Sequence, residues 1–121
     1  EAAGERLTSL LRDHIVIAGR LLGAAKTGDG TAFATAKADW YANGHDIAAF
    51  LAAANPNWPL ADLDAAMKMH LDTTLDEAVA RLGGDWSADV VAYDHVHAHI
   101  LRMADVLSDG IIAQFPASFA K

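Results

Sequence analysis

The chain has 121 residues, 53% of them apolar, and nine Lys and Arg against sixteen Asp and Glu give it a formal charge of −7. It has no cysteine, which excludes a disulfide framework, thiolate catalysis and Cys-ligated zinc or iron–sulfur sites. The acidic balance repels a phosphate backbone, and no apolar run approaches the roughly 20 residues of a membrane span, so neither nucleic acid nor a membrane is expected as a partner.

The length suits a single domain over residues 1–121, and the abundance of alanine favours closely packed helices over a bulky β core. No signal-peptide pattern is present, so a cytoplasmic location is expected. The first helical segment runs from about Glu5 to Lys26 and stops at Thr27-Gly28-Asp29-Gly30. The second runs from about Thr31 to Ala54 and ends at Asn55-Pro56-Asn57. The third begins near Trp58-Pro59, where proline suits a first helical turn, and ends at Gly83-Gly84. Within it, Thr74-Leu75-Asp76-Glu77 matches a capping box, which allows an irregularity at Asp72–Thr74 and accounts for Glu77. The fourth opens with Ser87 as N-cap and runs to about Gln114, with Pro116 just beyond. Short connections make neighbouring helices antiparallel, so the expected fold is an all-α, up-down-up-down four-helix bundle.

Helical periodicity of about 100° per residue sorts the side chains into faces. In the first segment the stripe Leu7, Leu10, Leu11, His14, Ala18, Leu21, Leu22 and Ala25 carries His14 at its centre. In the fourth, the stripe Val90, Tyr93, His97, Ile100, Leu101, Ala104, Leu107 and Ile111 carries His97, with Asp94 on its edge. His70 lies on the margin of the third stripe and Asn43 on the margin of the second, where Gly44 is expected to leave space in the core. His95 and His99 fall opposite His97, so the metal-like run His95-Val96-His97-Ala98-His99 is split between two faces, with the i, i+4 pair on solvent. His45 also points away from its stripe.

Counting from the turns, at about 1.5 Å rise per residue, puts His14, Asn43, His70 and His97 on one level, with Asp94 and Glu77 one turn above. Imidazoles and a carboxylate on facing helices at one height are how bundle cores build metal sites. The expected ligand set is therefore His14, Asn43, His70, Asp94 and His97, for a transition metal such as zinc, iron, copper or nickel. Asp94 and His97 at i, i+3 share one surface patch. Two facing imidazoles would also suit bis-histidine haem, given a wide enough void. Against these stands a purely structural reading, in which the histidines form a hydrogen-bonded polar layer or a pH-responsive cluster and the protein acts as a non-enzymatic helical interaction or oligomerisation module. No reaction can be assigned, and no serine accompanies a histidine on an inward face as a hydrolase triad would need.

The stretches Leu11-Arg12-Asp13-His14-Ile15, Trp40-Tyr41-Ala42-Asn43, Asn55-Pro56-Asn57-Trp58-Pro59-Leu60, His70-Leu71-Asp72, Tyr93-Asp94-His95-Val96-His97 and Met103-Ala104-Asp105 resemble those of a family of small helical-bundle proteins common in actinobacteria and bacilli. The resemblance spans nearly the whole chain and implies no assigned activity. It implies polar positions at His14, Asn43, His70, Asp94 and His97, and a further N-terminal helical hairpin with its own Glu-Asp-His segment. Relative to that family the chain is shortened, so a further ligand and the cover of one apolar face are expected to be missing, which favours a homo-oligomer.

Overall fold

The computed structural model describes residues 2–120. Four long helices, α1 (Ala2–Thr27), α2 (Gly30–Ala54), α3 (Leu60–Gly83) and α4 (Trp86–Gln114), are followed by a single turn, α5 (Pro116–Phe119). There is no strand among the described residues. The expected all-α antiparallel four-helix bundle is what forms, and among the described residues no helix is long and apolar enough to cross a membrane.

The loops are stopped by chemistry local to each. Gly28 and Gly84 adopt φ of 71° and 75°, the left-handed region where a Cβ is disfavoured. Asp29 then caps α2 by accepting from the Ala32 amide at 3.0 Å, and Asp85 caps α4 by accepting from the Ala88 amide at 3.0 Å. The cap of α4 is thus Asp85 and not Ser87, which lies inside the first turn. α3 runs unbroken through Thr73 and Thr74. Both hydroxyls donate to the His70 carbonyl, which satisfies them without opening the helix.

Two apolar clusters hold the helices together. One joins Ile17 and Leu21 of α1 to Ala36 and Trp40 of α2 and Leu71 of α3. The other joins Ala48 of α2 to Trp58 and Leu63, with Leu107 of α4 against it. Gly44 brings α2 close to α3, because the space a Cβ would take is occupied by Leu71 Cδ1 and Met67 Cγ, each 3.0 Å away. The gap expected at this glycine is therefore filled by neighbouring side chains. Asn55 is completely buried in the α2–α3 loop. Its Nδ2 donates to the Gly110 carbonyl at 2.9 Å, and its Oδ1 accepts from the Asn57 amide at 2.9 Å.

Each helix packs on its sequence neighbour, and α1 also touches α3 lightly, but α1 and α4 do not pack on each other. The bundle is open along that side.

α4 shows why. Its buried residues are Asp89, Ala92, His99 and Gly110. Its periodicity allows two apolar lines, and the line chosen is the one rich in small residues. Trp58 packs where a Cβ on Gly110 would sit, donates Nε1–H to the Val106 carbonyl at 3.2 Å, and so fixes the rotation of α4. The stripe expected to be inward therefore turns toward the open side, leaving Val90, Tyr93 and Leu101 exposed. On α1, Leu10, Ile17, Leu21 and Ala24 are buried, while Leu11 and Leu22 of the expected stripe are exposed.

Candidate functional site: a histidine-floored groove

The open side forms an apolar groove of about 290 Å³. α1 contributes Leu7, Leu11 and His14, α2 contributes Ile47 and Leu51, α3 contributes Leu63, Met67 and His70, and α4 contributes Ile100, Met103 and Leu107. It draws on all four long helices. A second depression of about 380 Å³ between α1 and α2, lined by Arg6, Asp13, Arg20, Asp39 and Asp46, is more open to solvent and charged. The groove is the concave apolar feature with a few convergent polar groups, the combination expected of a binding site.

Two histidines line it. His14 Nδ1 lies 2.7 Å from Asn43 Oδ1, and Asn43 Nδ2 donates to the Leu10 carbonyl at 3.2 Å. Because the amide nitrogen of Asn43 is spent on a carbonyl, its oxygen faces the imidazole, so His14 Nδ1 carries the hydrogen and donates. The imidazole also lies 5.3 Å from the Trp40 ring, tilted by 31°.

His70 is half-buried, and its Nδ1 is buried without a hydrogen-bond partner. Desolvation holds its pKa below the ordinary histidine value, and the nearby His14 and His99 lower it further by charge repulsion. His70 is therefore neutral at physiological pH. Its partner from α4 is His99, which stacks on it with centroids 6.3 Å apart. His99 is only 6% exposed, and its Nε2–H donates to the Ala66 carbonyl at 2.8 Å.

Of the expected set, then, the structure brings His14 and Asn43 into direct contact and places His70 in the same groove. It does not bring in His97 or Asp94. Both are exposed, and His97 stacks on Tyr93 with centroids 6.0 Å apart and planes within 4°. His99, expected on solvent, takes the inward place. The rotation of α4 makes the exchange, and the level agrees with it: His99 lies as far from the α3–α4 turn as His70 does, whereas His97 lies higher. Glu77 is half-buried beside a separate pocket with Arg81, Asp89 and Tyr93.

Among the described residues, no group of three or more His, Cys, Asp or Glu side chains is placed to hold a metal ion. His14 and His70 offer two imidazoles and no third ligand, so these residues alone do not fit a transition-metal site. Comparison with protein-family models, with curated proteins and with solved structures finds no match to this chain.

Proposed function

We propose that this chain is a helical interaction module whose open groove receives an apolar helical surface. The observation that carries this reading is the groove itself. α1 and α4 stand apart, and apolar residues that would face each other in a closed bundle line the gap instead, among them Leu11 and Ile100. A surface of this shape and polarity is the receptor half of helix-in-groove recognition. The imidazole of His70, held neutral by burial, is the polar group on an otherwise apolar α3 wall. No reaction is assigned.

The test uses the absence of cysteine. Leu11→Cys on the groove and Ser9→Cys on the far side of α1 each carry an environment-sensitive dye, with the protein diluted to nanomolar concentration. The titrant is a synthetic amphipathic helix of about 20 residues with Leu and Ile along one face. The expected result is a saturable blue shift at position 11 and none at position 9. No shift at position 11 overturns the reading.

A second reading is a transition-metal site (zinc, iron, copper or nickel) that His14 and His70 would share with ligands from whatever occupies the groove. Two imidazoles, those of His14 and His70, lining one groove are what favour it. Metal analysis and thermal melting of wild type, His14→Ala and His70→Ala, with and without chelator, decide it. Metal-free protein that melts identically in chelator removes this reading.

A further inference from the structure

We infer that the occupant of the groove is a second copy of this chain, docked about a two-fold axis parallel to the helices so that α1 of each protomer lies on α4 of its partner. This rests on the groove being a docking surface for apolar helices and names what covers it. Three observations carry it.

The first is apolar area. Leu11, Ile15 and Leu22 on α1, and Val90, Tyr93 and Leu101 on α4, are each between 42% and 72% exposed. Monomers rarely leave contiguous apolar patches beyond a few hundred Å² in water. Together with the groove walls, these side chains present area on the order of the roughly 800 Å² per partner that a stable interface buries.

The second is direction. In an up-down-up-down bundle α1 and α4 run antiparallel. A two-fold axis along the helices sets each α1 antiparallel on the partner's α4, and the four helices close a second bundle core by the packing that closes the first. An isologous arrangement of this kind is satisfied at two chains and does not propagate.

The third is charge. On the helical wheel, exposed Arg12 borders the uncovered face of α1, and exposed Asp94 and Asp105 border that of α4. The axis puts these borders on the same side of the interface. Arg12 lies just below the level of His14, and Asp105 lies below that of His99. Side chains tilt toward their own helix N-terminus, so Arg12 leans down and Asp105 leans up toward each other. Opposite charges on the rim of an interface set register and partner choice.

The experiment is sedimentation equilibrium over a concentration series, with helicity followed by circular dichroism. Wild type is expected at twice its 12.8 kDa chain mass, and Ile15→Lys or Leu101→Lys at the single mass with helicity retained. Arg12→Asp and Asp105→Arg should each weaken association about tenfold, and the double variant should recover it. If a lysine variant unfolds, cysteine pairing still decides: mixed Ile15→Cys and Leu101→Cys proteins should form a 15–101 disulfide between chains under mild oxidation. A dimer that is indifferent to both lysine variants, or that forms no 15–101 link, overturns the inference. So does a wild type that stays at the single mass. If that monomer still shifts the Leu11→Cys dye with the amphipathic peptide, the groove reading survives without the second copy; if it shifts nothing, both fall.

Discussion

His14 and Asn43 are joined across the α1–α2 interface by a 2.7 Å hydrogen bond, with Asn43 held in turn by the Leu10 carbonyl. Asn43 is buried, so replacing it strands two partners at once. Asn43→Leu is expected to lower stability by about 1–3 kcal/mol, the cost of leaving buried polar groups unmade. Urea unfolding measures it, and a midpoint equal to that of wild type would show that this bond holds nothing.

The pH dependence follows from His70. Its folded pKa is lowered by burial first, and then by His14 and His99. Above the unfolded value of about 6.5 both states are neutral there, and the full stability is present. As pH falls below 6.5 the unfolded chain takes up a proton that the folded chain resists, so stability declines toward acid. His70→Gln removes this contribution, and its stability should fall less steeply than that of wild type between pH 6.5 and the lowered folded value. Equal slopes in chemical denaturation at stepped pH would refute the assignment.

Helix number, type and loop positions were legible in the sequence because each rests on local chemistry: Gly28 and Gly84 stop helices, and Pro59 and Pro116 stand beside them. The rotation of α4 was not legible. Val90, Tyr93, Ile100 and Leu107 make as good an apolar stripe as Ala92, Val96, His99 and Met103, and hydropathy prefers the first. The choice is made by a long-range contact, Trp58 against Gly110, that periodicity does not encode. His97 and Asp94 were placed inward for that reason.

The cap of α4 offers a direct check on local reasoning. Asp85 Oδ1 accepts from the Ala88 amide, and Ser87 occupies a helical position. Asp85→Ala should cost about 1 kcal/mol, whereas Ser87→Ala should cost no more than a few tenths. Thermal melting of the two variants orders them, and a larger loss at Ser87 would contradict the assignment.

Trp58 and Gly110 form the contact on which the orientation of α4 depends. A methyl group at position 110 would fall on the indole ring, and the ring cannot swing freely because its Nε1–H is committed to the Val106 carbonyl and it is clustered with Ala48 and Leu63. Gly110→Ala therefore forces either the ring or the helix to move, which as overpacking costs about 1–3 kcal/mol, offset only in part by a helix-propensity gain of up to roughly 1 kcal/mol. Trp58→Phe alone should also destabilise, through lost contact and a lost hydrogen bond. Its smaller ring makes room for the methyl group, however, so the two losses should not add. A double-mutant cycle is expected to show a coupling of at least about 0.5 kcal/mol in the compensating direction. Strict additivity would mean that α4 is rotated by something other than this pair. The groove, whose width depends on that rotation, would then need a different explanation.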